Sequence, residues 1–268
     1  MRPPRGQPGG RPPAAPAGAH KGPLSLARAL SKFGVCSRRE AERWIEDGRV
    51  AVDGQVVRAP ARRIDPRRDA ITVDGVRAGD ETARVAIALH KPVGYITSRT
   101  DPGGRLTVYE LLHGLDRWVF PVGRLDKDTS GLLILTNDHR LGHRLTDPGH
   151  RVPKTYHARV RGVPGAEALR ALAEGVPLGG GTVGRGAATS RPATVRPLGS
   201  GRDGGCWLEI VLTEGRNRQV RRMCASVGHD VLELVRVAIG ALALGDLSPG
   251  EWRALDAASL AALLADPM

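Results

Sequence analysis

The sequence predicts an α+β fold, with a small N-terminal domain before a larger domain built on a mainly antiparallel mixed β-sheet with flanking helices. Short strand-like runs recur along the chain, as in KTYHARVRG (154–162) and CWLEIVLTEG (206–215). Segments with helical spacing alternate with these runs, and glycine-marked turns separate them. Of the 268 residues, 41% are hydrophobic and only 3% aromatic, so the core is expected to be large and aliphatic.

The charge balance predicts a polyanionic partner. The formal net charge is +12 and the pI about 10.7, which favours RNA or DNA and, second, an anionic membrane surface. The three cysteines have no CxxC spacing, which argues against a disulfide framework or zinc ribbon and suits a reducing cytosol. We therefore expect a cytoplasmic protein without a secretory signal or membrane span.

Residues 1–23 are rich in proline, glycine, alanine and arginine, carry no acid, and show no periodicity. Such a segment buries too little apolar surface to order itself, so it is predicted to be a disordered basic tail. Both a solvated tail and a loose electrostatic arm on nucleic acid fit this composition.

Residues 24–80 are predicted to form the small domain and a connector. LSLARALSKFG has one apolar helical face and ends at Gly34, and Ser37 with Glu40 forms a capping-box pattern that opens a second helix. RVAVDGQVV is a predicted hairpin, and ITVDG in the connector is one predicted strand. The polar helix faces carry basic residues that would grip RNA phosphates: Arg28, Lys32, Arg38, Arg39, Arg43 and Arg49.

The larger domain is predicted over residues 81–268. Strands are expected in VAIALHK, at Leu132–Leu135, in KTYHARVRG, CWLEIVLTEG and VLELVRVAIG. Helices are expected after Thr107, after the cap Asp138, in RNRQVRRMCASVG and at the C-terminus. The glycine-rich residues 175–205 are expected to be loops around one or two strands.

Two weak motifs are set aside. GGGTVG (179–184) satisfies GxGxxG but lacks the preceding strand and following helix that bind phosphate. His139 and His143 are four residues apart, but no third ligand stands out and the surroundings are basic, so no metal site is expected.

The unexplained stretch is Arg124-Leu125-Asp126, directly before the buried run Leu132–Leu135. A nearby guanidinium can hold a carboxylate ionised, and an oriented carboxylate can act as a nucleophile or base. An ordinary Arg/Asp turn fits these residues equally well. A two-carboxylate glycosidase built on Asp126 and Asp128 is not favoured, because residues two apart rarely reach opposite sides of one bond.

Longer motifs resemble known families. SRREAERWIEDGRVAVDG resembles the S4 domain, a small RNA-binding module, and GRLDKDTSGLLILTND resembles the signature of the RNA pseudouridine synthases. The S4-like segment together with EGRNRQVRRM resembles, more narrowly, the RsuA-like group that acts on ribosomal RNA. The resemblance spans roughly Leu24 to Leu255.

The resemblance implies roles for single residues. Asp126 matches the essential aspartate, Arg124 the arginine two before it, and Tyr156 the tyrosine that packs on the target base. Arg221 matches the basic residue that pairs with the aspartate, with Arg216 as the alternative. Further phosphate contacts are expected from cations of the larger domain: Lys91, Lys154, Arg216 and Arg218.

The resemblance implies an isomerase that flips a uridine out of ribosomal RNA and converts it to pseudouridine. Large-subunit RNA is favoured over small-subunit RNA as the substrate. No cofactor or metal is expected. The protein is expected to act as a monomer on ribosomal RNA or on an assembly intermediate. Two alternatives stay open: a non-catalytic S4-type ribosome-assembly factor, and an RNA glycosidase that releases the base. The sequence also leaves open whether Asp126 forms a covalent adduct or removes a ribose proton to give a glycal.

Overall fold

A computed structural model describes residues 23–79, 84–179, 188–200 and 204–264. The predicted tail, except Pro23, and the GxGxxG-like segment, except Gly179, lie outside the described residues, as does the predicted domain boundary at 80/81. The described residues fall into two compact units. The first contains residues 23–31 and 37–79, and the second contains residues 32–36, 84–179, 188–200 and 204–264.

Eight short elements lie between residues 24 and 78. They are β1 (Leu24–Ser25), α1 (Leu26–Lys32), α2 (Arg38–Glu46), β2 (Val50–Val52), β3 (Gln55–Val56), β4 (Arg63–Ile64), β5 (Ile71–Val73) and β6 (Val76–Ala78). β1 pairs with β4, and the other four strands form an antiparallel sheet in the order β3-β2-β5-β6.

Local sequence signals explain these elements. The predicted capping box is confirmed, because the Glu40 amide donates to the Ser37 hydroxyl at 3.2 Å and the Ser37 amide donates to the Glu40 carboxylate at 2.9 Å. The Asp53-Gly54 turn joins β2 to β3 with φ of 51° and 79°, the left-handed conformation that a two-residue hairpin needs. The same Asp-Gly signal at residues 74–75 joins β5 to β6, so the single strand predicted in ITVDG is half of a second hairpin.

The second unit contains the remaining elements. They are β7 (Ala86–Lys91), a 3₁₀ helix (Val108–Leu111), β8 (Phe120–Pro121), β9 (Ser130–Thr136), α3 (His139–Thr146), a 3₁₀ helix (Pro148–His150), β10 (Lys154–Val160), α4 (Ala166–Glu174), β11 (Thr194–Ser200), β12 (Cys206–Leu212), α5 (Gln219–Ser226), β13 (Val231–Ile239), β14 (Leu242–Ala243), β15 (Trp252–Ala254) and α6 (Ala257–Leu264). The helix predicted after Thr107 is a single 3₁₀ turn, and α4 was not predicted.

Among the residues that the structure describes, nine strands form one sheet in the order β11-β12-β10-β13-β9-β7-β15, with β14 on β13 and β8 on β9. All pairs are antiparallel except β9 with β13, so the mainly antiparallel mixed sheet is confirmed. At that parallel pair Gly131 (φ 108°) lies against Arg236, and a Cβ on Gly131 would come within 2.3 Å of the Arg236 carbonyl oxygen. Glycine therefore allows the two halves of the sheet to meet.

Three aliphatic clusters cover the faces of this sheet. The predicted buried run is confirmed, because Leu132, Leu133, Ile134 and Leu135 are fully buried in β9. Each such side chain contributes about 1.5–3 kcal/mol by leaving water. β9 therefore gives the loop before it a rigid base. Among the described residues, no helix is long and apolar enough to cross a bilayer.

Candidate active site

A cavity of about 320 Å³ opens beside the loop that connects β8 to β9. Residues from the loop, from β10, from β13 and from the segment before α5 line it. The predicted site residues in its wall are Arg124, Asp126, Lys154, Tyr156, Arg216 and Arg218. The sequence motifs that seemed separate thus meet at one place within the second unit.

The loop Leu125–Thr129 is held by its backbone. Its five consecutive carbonyl oxygens all accept hydrogen bonds, from the Thr97 hydroxyl (2.9 Å), the Thr129 amide (3.1 Å), the Gly94 amide (2.8 Å), the Arg221 guanidinium (2.7 Å) and the Lys91 ammonium (2.7 Å). Four of the donors lie outside the loop, three of them within residues 91–97 and one in α5, and the Thr129 amide closes a turn within the loop. The backbone that carries Asp126 is therefore fixed before any substrate arrives.

Asp126 is open to the cavity. Its side chain is 34% exposed, and one carboxylate oxygen lies 3.9 Å from a terminal nitrogen of Arg218. The resemblance implied that Arg221 pairs with this aspartate. The structure places Arg218 beside Asp126 instead, and the Arg221 guanidinium contacts the neighbouring Asp128.

Asp128 binds two arginines. Arg218 donates two hydrogen bonds to its carboxylate, at 2.9 and 2.8 Å, and the Arg221 Nε lies 3.2 Å from it. Arg221 also donates to the backbone carbonyls of Asp128 and Val231. The hydrogen bonds from Arg218 are the largest cause that holds the pKa of Asp128 below its ordinary value of 3.8, so this carboxylate is ionised at neutral pH.

Arg218 reaches both aspartates from a strained position. It precedes α5 with φ 50° and ψ 35°, a left-handed conformation that costs a residue other than glycine about 1 kcal/mol or more. The segment before it is tied down by the buried Glu214, which accepts hydrogen bonds from the Gln219 amide group (2.7 Å), the Arg216 Nε (3.1 Å) and the Arg191 backbone (2.9 Å). Arg216, the alternative partner of Asp126, pairs with Glu214.

Tyr156 lies in β10 and lines the cavity. Its ring packs against two of the three aliphatic clusters, and its neighbours across the sheet are Ile210 and Arg236. A ring supported in this way offers a flat surface in a fixed place. Arg124 is exposed at the same cavity.

The predicted phosphate contacts divide into cations on α1 and α2 and cations of the larger domain. Arg28, Arg38, Arg39 and Arg43 are exposed on α1 and α2, and Lys32 is partly buried. Lys91 is a correction, because it is fully buried and its ammonium group donates to the carbonyls of Pro92 (3.0 Å) and Thr129 (2.7 Å). It supports the loop from inside and is closed to a phosphate. Burial lowers the pKa of Lys91 to about 8 against the opposing effect of Asp126.

Lys154, Arg216 and Arg218, the other predicted phosphate contacts of the larger domain, line the cavity. The Lys154 ammonium donates to the Val152 carbonyl at 2.7 Å, and burial lowers the pKa of Lys154 to about 8, with a further contribution from Arg236.

Arg236 was missed by the sequence analysis. It is 4% exposed, lines the cavity, and donates from Nε to the Leu132 carbonyl at 2.8 Å. One of its terminal nitrogens is buried without a hydrogen-bond partner among the described residues, as is the Thr129 hydroxyl in the same wall. A lone arginine in a hydrophobic strand was the only sequence signal.

The histidine pair considered for a metal is not the one the structure assembles. His143 lies with Asp147 and His150, and their ligand atoms are within 4.8 Å of one another. His143 is exposed and also pairs with Asp147 at 3.6 Å, while His139 stacks on Phe120 with ring centroids 4.5 Å apart. Arg144 and Arg151 flank the cluster in sequence, and their charges oppose a divalent ion.

Comparison with known proteins gives consistent matches. The sequence model of the RNA pseudouridylate synthase family matches residues 85–226, and that of the S4 domain matches residues 25–69. A protein of Aquifex aeolicus named as an uncharacterized RNA pseudouridine synthase is 41% identical over 242 residues, which cover 90% of this chain and 93% of that one.

A protein of Bacillus subtilis named ribosomal large subunit pseudouridine synthase B is 37% identical over 231 residues, covering 86% of this chain and 91% of the relative. Among solved structures, a crystal structure of a pseudouridylate synthase superimposes with a TM-score of 0.62 and 28% identity, over 90% of this chain and 99% of the other. These matches extend across both units.

Proposed function

The chain belongs to the RNA pseudouridine synthase family, and from that membership we propose that it converts a uridine of large-subunit ribosomal RNA to pseudouridine. The choice of RNA rests on the S4 domain match and on the printed name of the Bacillus subtilis relative. The substrate is ribosomal RNA, free or in an assembly intermediate.

Asp126 is the proposed catalytic group. The reaction breaks the C1′–N1 bond of uridine and rejoins the same base through C5. An ionised carboxylate beside the ribose can add to C1′ or remove the C2′ proton, and both routes need it fixed and reachable. The observation that carries the proposal is that Asp126 faces an open cavity from a loop whose carbonyls are all hydrogen-bonded.

The target base must leave its helix to reach this cavity. We assign Tyr156 to stack on the flipped uracil, a contact of about 1–3 kcal/mol. Arg124, exposed at the cavity, assists entry of the nucleotide or holds the site. Arg218 lies 3.9 Å from the Asp126 carboxylate and places a positive charge beside it, and Arg221 fixes the loop through the Asp128 carbonyl.

The exposed arginines of α1 and α2 serve as phosphate contacts that position the RNA without reading its sequence. Choice of the uridine then comes from the shape of an RNA loop or stem. The reaction is an isomerisation that consumes no oxidant, reductant or energy source, so we propose that it needs no cofactor. We further propose that the protein is a cytoplasmic monomer.

The test is Asp126→Asn, with ribosomal RNA from a strain that lacks the gene as the substrate. We expect no pseudouridine to form while the RNA affinity stays within a few-fold of the parent, because the substitution keeps the shape and removes the nucleophilic charge. Asp230→Asn, at a carboxylate that is 74% exposed, is the control and should keep full turnover. Near-normal turnover of Asp126→Asn would refute the role of Asp126. RNA binding without turnover by the parent would favour a non-catalytic assembly factor.

A further inference from the structure

Two cations form one wall of the cavity around Tyr156. Lys154 and Tyr156 are two residues apart in β10 and therefore face the same side of the sheet. Arg236 in β13 is the cross-strand neighbour of Tyr156, and all three residues line the cavity that contains Asp126. We call Lys154 and Arg236 the cationic wall.

The cationic wall carries positive charge without a carboxylate partner. Among the described residues, no acidic group lies within ion-pair distance of either cation, whereas Asp126 and Asp128 are served by Arg218 and Arg221. Lys154 and Arg236 are bonded instead to the backbone carbonyls of Val152 and Leu132, and one Arg236 nitrogen has no partner in the described part of the chain. Burying unpaired charge is costly, so a site built this way favours a negatively charged ligand.

We propose that the cationic wall binds the negative charge that uracil acquires when it is detached from the ribose. This inference rests on the proposed function, which brings the uracil onto Tyr156. The electron pair of the C1′–N1 bond leaves with N1 and spreads to the two carbonyl oxygens of the ring. The charge therefore develops at the base, on the face of the cavity that Lys154 and Arg236 line.

The step balances on either route for Asp126. If Asp126 adds to C1′, uracil leaves as an anion, its C5 displaces the carboxylate, the C5 proton is lost and N1 gains a proton. If Asp126 removes the C2′ proton, the same anion leaves to give a glycal, C5 adds to C1′ as C2′ regains the proton, and the C5 proton is again lost while N1 gains one. The bound anion is common to both, and holding it also keeps the free base from escaping into solvent.

Lys154→Met removes the charge and keeps most of the side-chain volume. We expect kcat to fall on the order of 10²-fold, as for the loss of one donor to a developing anion. The KM for ribosomal RNA should change less than about 3-fold, because phosphates are bound elsewhere. Free uracil and abasic RNA should appear as products, which a merely structural defect would not generate.

Matched variants and the pH profile complete the test. Lys154→Arg keeps a cation and should recover most of the turnover, and Arg253→Met removes an exposed cation outside the cavity and should match the parent. Because the pKa of Lys154 is lowered to about 8, the ammonium is present below that pH, and parent kcat should fall as pH rises through about 8. Lys154→Arg should show a smaller alkaline decline than the parent, and the decline that remains is assigned to Lys91, whose pKa is also about 8.

Parent-like kcat in Lys154→Met, without uracil release, would overturn the cationic wall. A thermal melting curve shows whether Lys154→Met folds. If it does not fold, a Lys154→Arg variant whose alkaline decline in kcat equals that of the parent would contradict the proposed role of the cationic wall. A parent that binds RNA and forms no pseudouridine contradicts the proposed function itself, which separates that failure from a failure of the wall.

Discussion

Asp126 and Asp128 are two residues apart and have different surroundings. Asp126 has one guanidinium at 3.9 Å, whereas Asp128 binds Arg218 at two oxygens and lies 3.2 Å from Arg221. The arginines are therefore oriented by Asp128, and Asp126 keeps its oxygens available to a substrate. The Asp128 carboxylate thus holds Arg218 in place beside Asp126.

Asp128→Asn should lower the free energy of unfolding by about 1 kcal/mol at pH 7, because charged hydrogen bonds to Arg218 are removed at a half-exposed site. The pKa of Asp128 is lowered by folding, so its contribution is present above the ordinary value of 3.8 and disappears as pH falls through the lower folded value. Urea unfolding at pH 7 and at decreasing acidic pH measures both effects.

Asp116→Asn is the matched control. The Asp116 side chain is 86% exposed, and its carboxylate lies 3.7 Å from the guanidinium of Arg117, the next residue in the chain. Its stability should change by less than about 0.5 kcal/mol. A loss in Asp128→Asn no larger than in this control, or one that does not shrink in acid, would contradict the assigned role.

At this scale, sequence reasoning found the residues whose motifs are local. Asp126 and Tyr156 stand in recognisable segments, and both line the cavity. It failed where the environment depends on distant segments. Lys91 looked like a surface cation but is buried against Thr129, 38 residues away, and Arg236 bonds to Leu132, 104 residues away. Neither hydrogen-bond partner can be inferred from the residues that neighbour Lys91 or Arg236 in the sequence.

At the scale of elements, the junction of β9 and β13 sets the position of the site. β9 follows the loop that carries Asp126, and β13 carries Arg236. These strands form the one parallel pair among the described strands, and Gly131 lies at their contact. The geometry of the loop therefore depends on a glycine that is not among the residues lining the cavity.

Gly131→Ala should lower the free energy of unfolding by about 2–4 kcal/mol, through a clash with the Arg236 carbonyl and a backbone angle that disfavours a side chain. Gly165→Ala is the control, because an added Cβ there meets nothing within 4 Å and φ is −75°. Denaturant unfolding of the two variants should differ clearly. Equal stability would show that the strands tolerate a wider separation.

Elements with strong local signals were predictable. The capping box of α2, the hairpin at Asp53-Gly54 and the buried strand at Leu132–Leu135 each depend on neighbouring residues. The parallel contact of β9 with β13 was not predictable, because it joins segments about a hundred residues apart. α4 was missed although AEALRALAE (166–174) consists of strong helix formers, and Leu172 is its one buried residue.

For the whole molecule, the net charge of +12 favours association with RNA, and the placement of that charge is expected to set the affinity. Arg28, Arg39 and Arg43 are exposed on α1 and α2, so replacing all three by alanine should weaken binding of ribosomal RNA. The slope of log affinity against log salt should decrease by about 0.7–0.9 for each RNA phosphate that the variant no longer neutralises.

The control replaces three other exposed arginines of the first unit, Arg67, Arg68 and Arg77, which lie outside the two helices. It changes the net charge by the same amount, so a smaller change in slope isolates the helix faces from the overall charge. Filter-binding titrations at several salt concentrations provide the measurement. Identical slopes in the two triple variants would contradict a specific role for α1 and α2.

The five anchored carbonyls before β9 have a consequence for how substrates are discriminated. A backbone fixed at every peptide from Leu125 to Thr129 cannot adapt to an ill-fitting strand. The RNA must then change its shape to fit the loop, and bending it and unstacking the target base cost energy. We therefore expect the protein to favour RNA sites that deform at a low energetic cost.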